Sequence, residues 1–407
     1  MFINRVICVN VEKIKELDKK YFMNVFGERT NVCFESGDGA YLTDTEGKRY
    51  LDFFAGIAVN AVGYGNKEFT DTMCEFMKTR VLHTSNLYYV EPQSLLAEKI
   101  CKNSCADKVY FANSGAEANE CAIKLAKIYQ YKKGSGKTKI IALNNSFHGR
   151  TLATVAATGQ EKYQKPYRPL IPGFVHIDIN DTEALRREFA DGDVCACIAE
   201  PVQGESGIHP MTHEFALEMR RLCSETDALL IFDEVQTGMG RTGSLFAYQT
   251  IGVEPDVFTL AKALGGGIPI SCCCAKDFAA KAFEPGDHGG TFGGNAFACK
   301  AGLTVFDIIE KRGLVENSRV VGSYIKDELI KLKKKYPIIT DVRGFGLMIG
   351  VETPKFKKII TKLLAKGVVA GSAGGSVIRL VPPLIITKED ADLFLRKFTE
   401  ILEDEDL

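Results

Sequence analysis

Short runs of consecutive apolar residues recur along the middle of the chain, and each ends on a polar residue. The runs at 108–113, 139–143, 194–199, 228–233 and 256–261 are bounded by polar and glycine-rich segments. That length and those flanks predict strands buried on both faces of a parallel sheet. After the first run the pattern changes period: apolar or small residues at 118, 121, 122, 125, 126 and 129 follow helical spacing, and Ser114 with Glu117 has the spacing of a capping box. Strand and helix signals alternate from about 71 to 305, which predicts a large, mostly parallel α/β domain. Residues 1–70 carry short strands with hairpin signals at 37–39 and 45–47. From about 306 to 407 the pattern becomes a helix at 326–335, strands near 344–351 and 377–380, and a last helix after Thr387, which reads as a smaller α+β domain.

The residues at the strand ends carry the candidate chemistry, because ligands of open α/β sheets collect at the edge where the strands leave the core. One run ends in Asp233, and Lys262 follows the end of another, twenty-nine residues further on. The first strand runs into Ser114-Gly-Ala-Glu-Ala-Asn-Glu120, which places Gly115 and Ala116 in the first turn of the helix. Free backbone N–H groups and the helix dipole there favour a phosphate, and the small side chains let it approach. A further run leads into Phe147-His-Gly-Arg-Thr, where Phe147 can stack on a planar ring and the Arg150 fork matches a carboxylate. Another ends at Glu200-Pro-Val-Gln-Gly-Glu. Each feature alone has an ordinary reading: solvated strand-end charges, a capped helix, a packed aromatic. Together they supply a lysine able to form an imine, a carboxylate able to hold a pyridinium nitrogen and a phosphate cradle, the minimum equipment of a pyridoxal-phosphate (PLP) enzyme. Opposite charges about 4 Å apart at an effective dielectric near 20 interact by about 4 kcal/mol, or about 3 pK units, so Asp233 would keep the ring nitrogen protonated. Lys262, once displaced by a substrate amine, would carry the proton between substrate and cofactor carbons.

These motifs, with Phe232-Asp-Glu-Val-Gln-Thr-Gly and Leu260-Ala-Lys-Ala-Leu-Gly-Gly-Gly, resemble the class III aminotransferases of the fold-type I PLP superfamily over nearly the whole chain. The resemblance implies a large PLP-binding domain and a discontinuous small domain to which the N-terminal segment contributes. It implies that Lys262 binds the cofactor, Asp233 partners its ring nitrogen, Gln236 donates to its phenolic oxygen and Phe147 stacks on its ring. Glu234 and Val235 complete that wall, and Gly115 and Ala116 hold the phosphate. It further implies that Thr291 reaches the phosphate from the neighbouring subunit of a homodimer, with Gly290 beside it on the substrate side. Segments 41–60 and 289–295 narrow the likeness to members acting on the terminal amine of N-acylated ornithine, with 2-oxoglutarate as acceptor. Succinylornithine, N-succinyl-diaminopimelate, ornithine and 4-aminobutyrate remain open as donors. In glutamate the reacting amine sits beside a carboxylate, whereas in the other substrate it does not, so an arginine fixed for the first is left unpaired by the second, at a cost of several kcal/mol. By resemblance Glu205 pairs with Arg379 in one half-reaction and swings away in the other, and Arg150 holds the far carboxylate.

A rival reading comes from Gly238-Met-Gly-Arg-Thr-Gly243, a literal G-x-G-x-x-G after a strand, with Asp256 at a suitable distance for a nicotinamide dehydrogenase. The fingerprint needs its first glycine directly after the strand and a helix opening at the motif. Residues 234–237 intervene and no helical period follows, so glycines in a wide loop explain it better.

The 51 basic and 52 acidic side chains of the 407 residues nearly cancel, so the electrostatic footprint of a nucleic-acid binder is missing. No apolar run approaches the ~18 residues of a membrane span, and the N-terminus, with a charged helix-like stretch after residue 10, lacks the pattern of a secretory signal. The first ten residues read as an extension. Thirteen cysteines show no C-x-x-C spacing; Cys101 and Cys105 fall in an amphipathic helix and 272–274 in an apolar strand. That usage predicts a reducing cytoplasm and no structural metal. The six histidines, His148 included, have no partner at ligand spacing and are expected to make local hydrogen bonds.

Overall fold

The computed structural model describes residues 11–407; the N-terminal extension lies outside the described residues. A helix covers Val11–Tyr21, where the charged stretch predicts one. Three antiparallel strands follow, β1 (Phe34–Asp38), β2 (Tyr41–Asp44) and β3 (Arg49–Asp52). Then come β4 (Lys108–Ala112), β5 (Lys139–Leu143), β6 (Phe174–Ile177), β7 (Val194–Ala199), a small hairpin of β8 (Val202–Gln203) and β9 (His209–Pro210), β10 (Leu229–Asp233), β11 (Val257–Leu260) and β12 (Ser271–Ala275). The C-terminal part adds β13 (Asp341–Phe345), β14 (Met348–Glu352), β15 (Val368–Val369), β16 (Gly371–Ala373) and β17 (Val377–Leu380).

Seven strands form the central sheet in the order β4-β12-β11-β10-β7-β5-β6. Only β12 runs against the others, pairing antiparallel with both β11 and β4. The five apolar runs expected as strands are β4, β5, β7, β10 and β11. Alternate residues of one strand enter opposite cores: Ile140, Ala142, Leu229, Ile231 and Cys273 pack with the helix Gly115–Lys132, while Ile141, Leu143, Leu230, Phe232, Cys272 and Cys274 belong to the cluster on the other face. Burial on both faces is why these strands read as unbroken apolar runs rather than alternating ones. The cysteines serve here as small buried apolar residues. Cys105 departs from expectation. The helix Glu91–Lys102 ends before it, and its backbone N–H donates to Tyr248 Oη in the turn that leads to β4.

Val368 and Val369 of β15 pair in parallel with Leu51 and Asp52, so the N-terminal hairpin and the C-terminal part share one sheet. A second sheet of order β13-β14-β17-β16 stands beside it. The pattern change at 305–306 falls inside one continuous helix, Ala296–Lys311, which packs on the helices Glu91–Lys102 and Lys67–Thr79. The long helix Leu314–Lys335 then packs on β13. Among the described residues no helix is long and apolar enough to cross a membrane.

Candidate active site

Four of the parallel strands and the helix Gly115–Lys132 deliver their ends to one cavity of about 570 Å³. Asp233, the last residue of β10, lies at its floor and is 4% exposed. Its Oδ2 accepts from Asn119 Nδ2 at 2.7 Å and from His148 Nδ1 at 2.8 Å, and its Oδ1 accepts from the Val235 backbone N–H at 3.0 Å. Asn119 is itself fixed, donating to the His148 carbonyl at 2.7 Å and accepting from Thr259 Oγ1 at 2.8 Å. Burial opposes a charge on His148, yet the hydrogen bond and the charge of Asp233 carry its pKa above the ordinary value. The carboxylate is therefore oriented from three sides by groups that sequence reasoning did not assign to it.

Lys262 stands two residues beyond β11 in the left-handed region, with φ +42°. A side chain other than glycine in that region is strained by about 1–3 kcal/mol and is held there by its surroundings. Burial pushes its ammonium from 10.5 down to about 8, against the attraction of Glu205. An amine so depressed is available as a nucleophile and as a proton carrier near neutral pH.

At the other end of the cavity the helix Gly115–Lys132 opens with a capping box. Ser114 Oγ accepts from the Glu117 N–H at 3.3 Å, and Glu117 Oε2 accepts from the Ser114 N–H at 2.7 Å and from the Asn113 N–H at 2.9 Å. The first-turn amides of Gly115 and Ala116 have no acceptor within the helix and face the cavity. Space there is tight: a Cβ on Gly115 would sit 2.8 Å from Val235 Cγ1, and one on Gly149 (φ +141°) would sit 2.7 Å from Ala116 Cβ.

On the substrate side Arg379 of β17 pairs with Glu205 at 2.5 Å and donates to Gln236 Oε1 and the Gly204 carbonyl, each at 3.2 Å. Its guanidinium lies 5.5 Å from the centroid of the Phe54 ring. Burial works to raise the pKa of Glu205, but Arg379 and then Lys262 hold it below the ordinary carboxylate value. Arg150 is exposed at the mouth, its guanidinium 4.1 Å from the Tyr163 ring centroid and 5.5 Å from that of Phe147. Glu200 is buried, which raises its pKa to about 7; it accepts from the Phe147 N–H at 3.0 Å and the Gly204 N–H at 3.3 Å, so it fixes the loops of Phe147 and Glu205 together.

The structure thus brings Gly115, Ala116, Phe147, Arg150, Glu205, Asp233, Val235, Gln236 and Lys262 to one cavity, with Arg379 bonded to its wall. Glu234 corrects an expectation. Its carboxylate turns away and accepts from the Ala247 N–H at 2.5 Å and the Tyr248 N–H at 2.8 Å, tying down the short helix Ala247–Ile251. Gly290 and Thr291 lie exposed outside the cavity of their own chain, where Asn86 Nδ2 donates to the Gly290 carbonyl at 3.1 Å. Asn119, His148, Glu200 and Tyr163 were missed as site residues. The one signal in the sequence was polarity where a buried pattern asked for apolar residues, as at Asn119 in the first turns of an otherwise small and apolar helix face. The dehydrogenase reading fails on geometry. Residues 234–237 separate β10 from Gly238, and the next helix begins only at Ala247.

The donor set fits PLP: a first-turn amide pair for the phosphate, an oriented carboxylate for the ring nitrogen, and a buried amine of lowered pKa lining the same cavity. Fold and site together define a PLP-dependent aminotransferase. A profile of aminotransferase class-III matches residues 22–402, and the chain belongs to that family. It is similar to an acetylornithine aminotransferase of Gloeobacter violaceus, 48% identical over 383 residues that cover 93% of this chain and 95% of the relative. Among solved structures it is similar to an acetylornithine aminotransferase of Elizabethkingia anophelis (TM-score 0.86, 32% identity, 97% of this chain and 99% of that one). It is also similar to an ornithine aminotransferase of Toxoplasma gondii (TM-score 0.92, 30% identity, 97% and 96%). The expected fold class, a mostly parallel central sheet flanked by helices with a smaller α+β part, is the observed one.

Proposed function

We propose that this aminotransferase moves the terminal amino group of N2-acetyl-L-ornithine to 2-oxoglutarate, giving N-acetyl-L-glutamate 5-semialdehyde and L-glutamate, a step of arginine biosynthesis. The observation that carries the proposal is the Glu205–Arg379 pair beside Lys262. A transaminase working on a terminal amine must accept one substrate with a carboxylate next to the reacting amine and one without. With the pair closed, Arg379 presents no bare charge to a methylene chain. With Glu205 withdrawn, Arg379 can take the α-carboxylate of glutamate. The relatives named above for acetylornithine support the same donor.

PLP, when bound, supplies an electron sink for the carbon that loses its proton. Gly115 and Ala116 are assigned the phosphate, Phe147 and Val235 the ring faces, Asp233 the ring nitrogen and Gln236 the phenolic oxygen. Lys262, free as an amine of lowered pKa, would hold and move the proton that the substrate carbon loses. Arg150 at the mouth is assigned the distant carboxylate of either substrate. Thr291 and Gly290, exposed on their own chain, are assigned to the site of a neighbouring copy, which makes the working unit a homodimer. The discontinuous small domain would comprise 1–70 and 306–407, a division supported by the sheet shared between β3 and β15. A cytoplasmic location belongs to the same reading, supported by the free thiols among the described cysteines.

The deciding experiment mixes PLP-loaded enzyme, without keto acid, with acetylornithine, succinyl-diaminopimelate, ornithine and 4-aminobutyrate in turn and follows the cofactor spectrum. Fastest conversion by acetylornithine, reversed by 2-oxoglutarate, is the expected result; faster conversion by ornithine would move this chain to the activity named for its Toxoplasma neighbour. Glu205→Gln is expected to fold normally and to slow the two half-reactions unequally, by about tenfold or more in one of them, read by single-turnover kinetics with glutamate and with acetylornithine. Equal losses would remove the switch.

A further inference from the structure

The motif Gly238-Met-Gly-Arg-Thr-Gly243 has no part in the site as described, yet its arginine is among the most buried large side chains in the molecule. Arg241 is 1% exposed. Its Nη1 donates to the carbonyl of Pro382 at 2.5 Å and to that of Leu347 at 3.0 Å. Pro382 follows three residues after Arg379 on the extension of β17, and Leu347 immediately precedes the neighbouring β14. The Arg241 carbonyl in turn accepts from Ser318 Oγ and the Leu347 N–H, each at 3.0 Å.

Burial pulls the pKa of Arg241 down to about 9, and the carboxylate of Asp52 attracts the charge against it. Asp52 accepts from the Phe54 N–H at 2.8 Å, the Ala55 N–H at 3.0 Å and Tyr64 Oη at 2.7 Å. Those bonds hold the turn in which Ala55, Ile57 and Ala58 all have positive φ, and which sets the Phe54 ring against the Arg379 guanidinium. The Val381 N–H, next to Pro382, donates to the Phe53 carbonyl at 2.9 Å.

We infer that Arg241 is a positioning residue for substrate recognition: it joins the loop of Gln236, the turn of Phe54 and the strand of Arg379, and so sets where the carboxylate-binding arginine stands relative to Lys262. Asp233 ends one strand of the central sheet and Lys262 follows another, whereas Arg379 belongs to the C-terminal sheet. The distance between reacting amine and bound carboxylate is therefore a distance between two sheets, and something rigid has to span it. The junction around Arg241 is rigid. A Cβ on Gly346 would lie 2.5 Å from the Thr242 carbonyl carbon and 2.8 Å from the Arg241 oxygen, and one on Gly322 would lie 2.1 Å from the Gly346 oxygen. An apolar side chain of similar volume would fill the space without desolvating a charge. What the guanidinium adds is directional: the carbonyls of Leu347 and Pro382, from two segments, meet at Nη1, while Asp52 in a third segment acts on its charge through space. Nε and Nη2 have no acceptor among the described residues, so the side chain's hydrogen bonds are made at Nη1.

The inference rests on the proposed role of Arg379, and the test separates the two. Arg241→Met and Arg241→Lys are prepared as PLP-saturated enzyme, and each half-reaction is followed in single turnovers, with glutamate and with acetylornithine. Arg241→Met is expected to slow the glutamate half-reaction by about tenfold or more while changing the acetylornithine half-reaction by less than about threefold, with Arg241→Lys between the wild type and Met. If the Met variant does not accumulate, the Lys variant is read by the same comparison. A purely structural arginine would slow both half-reactions alike, and that result, or no change in either, overturns the inference. Arg379→Lys is run alongside. If it splits the half-reactions and the Arg241 variants do not, only the positioning role falls; if Arg379→Lys itself shows no split, the carboxylate role of Arg379 falls and the inference with it.

Discussion

Lys262→Ala is expected to lower steady-state transamination by about 10⁴-fold or more, since on the proposed assignment it removes both the covalent anchor of the cofactor and the group that moves the substrate proton. The loss should appear in each half-reaction, and overall folding should survive because the variant deletes an ammonium from a buried site that disfavours its charge. Turnover within a few-fold of wild type would refute the PLP reading of the whole cavity. The wild-type lysine carries its own pH signature. Its ammonium has a pKa of about 8 instead of 10.5 because burial disfavours the charged form. Only the unprotonated amine captures the cofactor, so the rate at which PLP-free protein takes up PLP should rise with pH through a midpoint near 8. The folded value lies below the unfolded one, so between about 8 and 10.5 the unfolded chain binds the extra proton, and this group's contribution makes the fold more stable as pH rises across that window. A midpoint near 10.5 would place the amine in water.

Asp233→Asn should follow closely in severity. An ion pair between the carboxylate and a protonated ring nitrogen is worth about 4 kcal/mol at an effective dielectric near 20, so its loss predicts a fall of about 10³-fold in the proton-transfer step. The amide keeps the shape and, with its single oxygen, can still accept either from Asn119 or from the Val235 N–H, so affinity for PLP should drop less than the rate. His148 supplies an internal check. Its raised pKa depends on Asp233, so in the variant the imidazole should titrate at lower pH than in the wild type, measurable by NMR of the ring protons. An unchanged rate in Asp233→Asn would mean that the ring nitrogen is not held by this residue.

The strands that carry these residues were legible because they are buried on both faces and so read as uninterrupted apolar runs. The helix start at Ser114 was legible because its capping chemistry is local. What escaped the sequence was whatever depends on which segments meet in space. Nothing in the run at 271–275 states that it runs against its neighbours, since an apolar strand looks the same in either direction. Glu234 sits between two residues of the cavity wall, and only the fold reveals that its carboxylate points to the backbone of 247–248. His148 had no partner at ligand spacing because its partner, Asp233, lies 85 positions further along the chain. Arg241 sat inside a glycine pattern that suggests a different cofactor, and its real partners, Asp52, Leu347 and Pro382, come from both ends of the chain.

The close approach of Val235 to Gly115 ties the opening turn of the helix Gly115–Lys132 to the segment that follows Asp233. Val235 is bonded through its N–H to Asp233, and its side chain leaves no room for even a methyl group on the first residue of the phosphate-binding turn. On the proposed assignment the protein would gauge its cofactor as a caliper does, with one jaw at the anion and the other at the heterocycle, their gap set by the close packing of Gly115 and Val235 rather than by a flexible loop.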